Sequence, residues 1–383
     1  MIISKDIKYV GVNDHIIDLF EGQYIVPNGM SYNSYLILDD KICIMDSVDS
    51  SFAEEWINNI KKELNGLIPN YLVVQHMEPD HSGSILKLVY EFPNIIIVSS
   101  SKAFVMMKQF YNEDFINQRI IVKEGDILDL GEHKLNFVEA PMVHWPEVIM
   151  TYESKEKILF SADAFGKFGA LDVEEDWACE ARRYYIGIVG KYGIQVQSVL
   201  KKAKTLDIQT ICPLHGPVLN ENLGYYLDLY NTWSSYQVEE KGVLISYCSI
   251  YGNTKKAVLE LKDMLNSKGL KVVVNDLARV DMAEAIEDAF RYSHHIFASS
   301  TYNMDIFPFM NTFIHGLVER NYQNRTVGFI ENGSWMPNAT KVMKGLLEKS
   351  KNLTYLQPDV KIMSSLNEES RNQLKLLVEE IIK

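Results

Sequence analysis

The chain has little of what would tie it to a membrane, a nucleic acid or a disulfide scaffold. Only four of its 383 residues are cysteine. Cys43, Cys179, Cys212 and Cys248 form no CxxC pair, so neither a disulfide framework nor a four-cysteine iron site is encoded. No apolar run approaches the roughly 20 residues of a membrane span. The N-terminus, Met1-Ile-Ile-Ser-Lys-Asp-Ile-Lys8, lacks the apolar stretch of a secretory signal. Basic residues are outnumbered, 38 Lys and Arg against 51 Asp and Glu, for a net charge of −13. That balance argues against nucleic acid as a partner, because phosphate binding needs a basic face. The expectation is a cytoplasmic protein with no membrane attachment. What is present, 47% hydrophobic and 23% charged residues over this length, suits two ordinary domains, each with its own core.

The chemistry concentrates in His76-Met77-Glu78-Pro79-Asp80-His81, followed by isolated His144, Asp163 and His215. Short apolar runs precede each of them: Tyr71 to Val74, Leu135 to Val138, Ile158 to Phe160 and Thr210 to Cys212. Bounded by Gly, Pro or polar residues, these read as buried strands. The seven side chains therefore sit beyond strand ends, where separate loops converge on a rigid sheet. A single His or Asp after a strand is usually a turn residue, and Asp80-His81-Ser82-Gly83 alone could be a capped helix start. Four ligand-type residues in six positions, joined by three more, point instead to two adjacent metal sites. Imidazoles and carboxylates suit first-row divalent metals, and one carboxylate reaching both ions would hold them close.

From Gly242 the character changes. After an aromatic-rich helical stretch, Tyr225 to Tyr236, strands and helices alternate. Val243 to Tyr247, Leu270 to Val274, His295 to Ala298 and Thr326 to Ile330 read as strands. Thr254 to Ser267 and Glu368 to Ile382 read as helices. Such alternation predicts a doubly wound parallel sheet, whose ligands bind beyond the carboxyl ends of the strands. The loops there are rich in small polar residues: Ser249-Ile250-Tyr251-Gly252-Asn253-Thr254, Ser299-Ser300-Thr301-Tyr302-Asn303 and Glu331-Asn332-Gly333-Ser334-Trp335. The first can wrap a phosphate at a helix N-terminus, though Gly-Asn-Thr is also an ordinary capped turn. Trp335 could stack on a flat ring or simply pack.

These motifs carry a resemblance. The sequence His-x-Glu-x-Asp-His, with later His, Asp and His, resembles the metallo-β-lactamase fold in its flavodiiron version. The spacings 63 (81 to 144) and 19 (144 to 163) agree with that pattern, and 52 (163 to 215) is somewhat short. The zinc hydrolases of the fold have a second His where this chain has Glu78, a harder anionic donor that favours iron. The loop Ser249 to Thr254 resembles a flavodoxin phosphate loop. The resemblance implies an α/β architecture: a metallo-β-lactamase-like αββα sandwich over 1–241 and a flavodoxin-like doubly wound parallel sheet over 242–383. It implies FMN on the three loops and two non-haem irons per chain. His76, Glu78 and His144 would hold one iron, and Asp80, His81 and His215 the other, with Asp163 bridging.

The implied reactions are reduction of oxygen to water and of nitric oxide to nitrous oxide. The metal ligands are then themselves the catalytic residues. The resemblance further implies a head-to-tail homodimer or dimer of dimers. The electron donor would be external, a small rubredoxin or a reduced deazaflavin, because no rubredoxin or reductase domain follows Lys383 in this sequence. Two rival readings are a zinc hydrolase with an accessory flavodoxin domain, and an FMN electron carrier with a structural metal site. One departure stands out. Many family members carry a His after a Phe in an early loop over the iron site, whereas this chain reads Phe20-Glu21-Gly22-Gln23-Tyr24. Glu21 either faces the site, where it would alter proton supply and field, or points to solvent.

Overall fold

The computed structural model describes residues 3–383, which divide into two compact units, 1–231 and 232–383. The boundary expected at 241/242 lies inside the first strand of the second unit, Glu240–Tyr247.

The first unit is built on two mixed sheets. One runs Ile7–Tyr9, Tyr35–Ile37, Cys43–Met45, Tyr71–Val73, Ile96–Ser99, Arg119–Ile121 in spatial order. Its last four strands are parallel to one another. The other runs Ile127–Asp129, Lys134–Glu139, Ile149–Glu153, Ile158–Phe160, Thr210–Cys212, antiparallel except for its last pair. Apolar side chains from both meet in one core: Tyr35, Val73 and Val98 from the first, Phe137, Ile149 and Phe160 from the second. Each parallel connection needs a crossover, and helices supply it. Ala53–Leu64, for example, buries Trp56, Ile57, Ile60 and Leu64 on one face. The layering is the expected metallo-β-lactamase-like sandwich.

The short strands Tyr71–Val73 and Ile158–Phe160 are buried throughout, and Thr210–Cys212 is buried except at half-buried Thr210, which is why they read as apolar runs rather than alternating ones. Pro79–Ser82 does form a single helical turn, with Pro at its first position. The turn starts before Asp80 and has no side-chain cap, so Asp80 does not serve as the capping residue of a helix start; instead the turn places Asp80 and His81 side by side.

In the second unit the parallel strands lie in the order Val272–Asp276, Glu240–Tyr247, Tyr292–Tyr302, Thr326–Asn332, then Thr354–Tyr355 and Val360–Ile362. That is the 2-1-3-4-5 order of a flavodoxin-like sheet. Helices Asn253–Ser267 and Glu368–Ile381 share one apolar cluster with the sheet through Leu261, Leu265, Leu374 and Leu377. The second strand starts two residues later than expected. Leu270 still belongs to the helix end: its N–H donates to the Leu265 carbonyl, after Gly269 takes the left-handed φ of 78°.

Candidate diiron centre and flavin cleft

All seven metal-ligand candidates of the first unit converge. His76 follows the strand Tyr71–Val73, Asp80 and His81 lie on the turn after it, and Asp163 and His215 follow Ile158–Phe160 and Thr210–Cys212. Two donor groups result. In one, His144 Nε2 lies 3.0 Å from Glu78 Oε2 and 3.0 Å from Asp163 Oδ2, while His76 Nε2 lies 3.3 Å from each of those oxygens. In the other, His81 Nε2 and His215 Nε2 are 2.9 Å apart and each is 3.2 Å from Asp80 Oδ2. Asp163 turns its second oxygen, Oδ1, toward this group, 3.4 Å from His81 Nε2. One carboxylate thus addresses both groups with different atoms.

These spacings fit coordination. Ligands about 2.1 Å from a common ion sit about 3 Å apart when adjacent. The donor atoms are also left without ordinary partners: both oxygens of Asp80 and both of Asp163 are buried and find no hydrogen bond among the described residues. Unpaired buried carboxylates are costly. A divalent cation in each group removes that cost. Without the cations, His76 and His144 take up protons. Burial disfavours charge on His76, yet the carboxylates of Asp163, Glu147 and Glu78 outweigh it and raise its pKa well above the ordinary value. Burial likewise opposes His144, but Asp163 and Glu78 lift it to about 9. Asp163, despite burial, is held well below the carboxylate range by His76 and His144.

The ligands are held from behind. His76 Nδ1 donates to Glu147 Oε1 at 2.9 Å, and the Met77 N–H donates to the same oxygen at 2.9 Å. His215 Nδ1 donates to the Ser31 carbonyl at 2.7 Å. Each of these bonds fixes the tautomer that leaves Nε2 free for a metal. Asp46 accepts from the Gln75 N–H at 2.6 Å and from Gln75 Nε2 at 2.9 Å, bracing the segment that carries His76. The turn at His215 is pinned by Asn33, whose Nδ2 donates to the carbonyls of Pro213 and Gly216. Gly216 is required there: its φ is 77°, and a Cβ would come within 2.7 Å of Lys167 Cγ. Aromatic rings close the sides. Trp145 meets His76 edge-on at 5.3 Å, and Phe20 and Tyr184 lie 5.4 and 5.5 Å from His215.

Two further residues face the centre. Tyr184 is fully buried, and its hydroxyl has no hydrogen-bond partner among the described residues. Burial and the charges of Asp163, Asp80 and Glu78 keep that hydroxyl protonated, so it is an available donor. Glu21 caps the hairpin Leu19–Phe20/Tyr24–Ile25. Of the two orientations open to it, the structure shows the one toward the site. Much of the residue is exposed, and its Oε2 accepts from Gln23 Nε2 at 3.2 Å, but the charges of Glu78 and His144 reach its carboxyl. Burial and the negative charge of Glu78 push its pKa up to about 7. Sequence reading missed Glu147, Ser31, Asp46 and Tyr184 in these roles; only Glu147, a carboxylate ahead of an apolar strand and three residues past His144, carried any local signal.

In the second unit, the three loops line one cavity of about 480 Å³ at the carboxyl edge of the sheet. Ser249, Ile250, Tyr251, Asn253 and Thr254 come from the first loop, Ser300, Thr301, Tyr302 and Asn303 from the second, and Asn332, Gly333, Ser334 and Trp335 from the third. Gly252 does not line it. It makes the turn, with a φ of 88° ahead of the helix Asn253–Ser267. Met304, Met336 and Ser364 also line the cavity and were not expected. Thr254 Oγ1 lies 3.1 Å from Ser300 Oγ. The lining holds hydroxyls, amides and a helix start at one side and Trp335, 81% exposed, at another, which fits a phosphate and a flat aromatic ring. No lysine or arginine lines it.

Comparison with known proteins agrees with this geometry. A family model described as ODP family beta lactamase matches residues 30–216, and a flavodoxin model matches residues 245–355. The nitric oxide reductase of Moorella thermoacetica is 30% identical over 359 residues, spanning 91% of this chain and 90% of that one. Among solved structures, rubredoxin oxygen:oxidoreductase from Desulfovibrio gigas superposes with a TM-score of 0.90 at 25% identity, covering 100% of this chain and 97% of that one. The flavodiiron protein from Giardia intestinalis does so with a TM-score of 0.88 at 25% identity, covering 99% and 95%. These matches favour oxidoreductase chemistry over hydrolysis. No helix among the described residues is long and apolar enough to cross a membrane. With two donor groups joined by one carboxylate, a cleft shaped for a flavin, and relatives matched along nearly its whole length, this chain belongs to the flavodiiron proteins, oxidoreductases that reduce oxygen or nitric oxide at a non-haem diiron site with electrons passed through FMN.

Proposed function

We propose that His76, Glu78 and His144 hold one iron, that Asp80, His81 and His215 hold the other, and that Asp163 bridges the two. The observation that carries this reading is the division of Asp163, Oδ2 toward one donor group and Oδ1 toward the other. When bound, FMN passes electrons on singly and a pair of irons binds and reduces a small diatomic molecule. The remaining work falls to the chain. The buried, carboxylate-rich ligand set neutralises the metal charge, and Phe20, Tyr32 and Trp145 limit water around the imidazoles. Tyr184 offers a hydroxyl proton to a bound substrate. Glu21, near neutrality, can hold or release a proton at the rim beside Glu78.

FMN binds, in this reading, at the cavity of Ser249 to Thr254, Ser300 to Asn303 and Asn332 to Trp335, its phosphate at the start of the helix Asn253–Ser267. The domains are assigned as 1–241 and 242–383. The donor is a small external protein such as rubredoxin, and a head-to-tail homodimer, alone or paired, brings the flavin of one protomer to the irons of the other. A cytoplasmic place suits four free cysteines. Oxygen reduction to water is a main activity in this reading, with nitric oxide reduction at a lower or similar level.

The test is metal analysis with paired turnover. Protein purified without chelators should contain two irons and one FMN per chain, and reduced rubredoxin should support consumption of both gases. Stoichiometric zinc without iron would overturn the diiron assignment. Turnover of nitric oxide with barely any oxygen uptake would overturn the substrate preference alone. Comparing wild type with Glu21→His on each gas isolates the contribution of the rim carboxylate. Co-expressing Asp163→Ala with a flavin-deficient Thr254 and Trp335 double variant should restore part of the activity in mixed dimers; verified heterodimers with none exclude the head-to-tail path.

A further inference from the structure

The chain has 15 methionines, and among the described residues the exposed ones are Met304, Met336 and Met363, at 52%, 58% and 47%. All three lie at one place. Met304 and Met336 line the cavity at the carboxyl edge of the second sheet, and Met363 precedes Ser364, which lines it too. The others are buried or half-buried; Met310 and Met343, for example, are fully buried in the same unit. Core packing does not call for flexible thioethers on an open rim. Exposure is also what sets the susceptibility of methionine to oxidation.

The two cavity methionines sit on loops tied to each other. Met304 follows the strand Tyr292–Tyr302 in a left-handed conformation, φ 65°. Its carbonyl accepts from Asn338 Nδ2 at 3.0 Å, and Thr301 Oγ1 accepts from the Asn338 N–H at 2.9 Å. Asn338 lies just beyond Met336 in the loop that carries Trp335. A polar group added to either side chain therefore changes the lining of the cavity that Tyr302 and Trp335 share with them.

We propose that Met304 and Met336 form an oxidation site for hydrogen peroxide that is shielded while FMN fills the cavity, and that their sulfoxides oppose rebinding of the flavin. The proposal rests on the flavin reading of this cavity. In the reaction the peroxide O–O bond breaks and an S–O bond forms. The sulfur loses two electrons, the peroxide gains them, and the second oxygen leaves as water. The product is bulkier, polar and chiral, where the thioether was apolar and adaptable. Linkage makes the two halves of the proposal one statement: if sulfoxide weakens FMN binding, bound FMN must resist sulfoxide formation. A chain that loses its flavin under peroxide is then held in the flavin-free state until the methionines are reduced.

The full chain, FMN-loaded and flavin-stripped, is treated with hydrogen peroxide, and added oxygen is read methionine by methionine by peptide mass spectrometry. In the stripped chain Met304, Met336 and Met363 should oxidise ahead of half-buried Met106 and Met264. With FMN bound, Met304 and Met336 should slow about tenfold while Met363, outside the cavity, keeps its rate. Flavin fluorescence titration of the oxidised chain should show a Kd raised about tenfold, restored by methionine sulfoxide reductases. The Met304→Leu, Met336→Leu double variant should keep its FMN affinity through the same treatment. Equal oxidation of Met304 and Met336 with and without FMN, or unchanged FMN affinity after their oxidation, overturns the proposal alone. A chain that binds no FMN before any oxidation overturns the flavin reading of the cavity and the proposal together.

Discussion

The two sites are built on opposite principles. The centre in the first unit is made of buried, charged side chains, with both oxygens of Asp80 and of Asp163 unpaired until ions arrive. The cleft in the second unit is made of exposed loops, hydroxyls and amides, with Tyr251 and Trp335 at 92% and 81% exposure. Charge holds the first cofactor and shape holds the second. The difference teaches where each is vulnerable: a metal site fails when one charge or one supporting hydrogen bond is removed, whereas a flavin cleft loses affinity by increments.

Substitution of the shared carboxylate tests the contrast most severely. Asp163→Ala should lower iron content by more than ~10-fold while flavin absorbance stays at one FMN per chain. Iron retained at two per chain would show that Asp163 is not shared. A smaller loss is expected behind the ligands. Glu147→Ala leaves His76 Nδ1 without its acceptor and should weaken metal binding about 10- to 100-fold, again with FMN untouched; competition with a chelator reads it, and an unchanged affinity would make Glu147 a packing residue only. On the other side, Trp335→Ala should raise the FMN Kd only about two- to tenfold, the value of one ring contact, with iron constant. A loss of both cofactors in any of these variants would mean unfolding, and would break the separation between the units.

The smallest effect concerns neither cofactor. His133 lies in the first unit, with Nδ1 3.1 Å from Glu153 Oε1; Asp6 and Lys155 flank its Nε2, and Asp39 accepts its backbone N–H. Burial opposes its charge, but Glu153 and Asp39 outweigh that and the repulsion of Lys155, raising its pKa above 6.5. A raised pKa stabilises the fold below the ordinary value and loses that contribution as pH rises through the folded one. Denaturant unfolding of the holoprotein between about pH 6 and about pH 8 should therefore show a loss in wild type, of which His133 contributes about 1 kcal/mol or less and which His133→Gln reduces. The same slope in the variant would remove His133 from the account.

Much of this was legible in the sequence because the ligands follow short buried strands. Tyr71 to Val74, Ile158 to Phe160 and Thr210 to Cys212 announce themselves as apolar runs, and a polar residue just past each is conspicuous. The cavity loops were legible for the same reason, since each follows a strand of a parallel sheet. The supporting residues were not. Glu147 serves a histidine 71 positions away, Asp46 a glutamine 29 away, and Ser31 a histidine 184 away, and no local pattern encodes such partners. Glu21 was ambiguous because a hairpin tip leaves a side chain free to turn either way until its neighbours are known. Met304 and Met336 follow turn residues, where apolar side chains carry no periodic signal.

The division of Asp163 between two donor groups has a consequence for how the protein responds to scarcity. If only one ion is in place, the other oxygen of that buried carboxylate has nothing to bind, a cost of about 1–3 kcal/mol or more. Whatever affinity the first ion gives the second, the second returns to the first. Occupancy of one group is thereby linked to occupancy of the other through a single side chain. With Asp163 shared as proposed, iron shortage empties the two groups in correlation, and a change at either one is felt at the other.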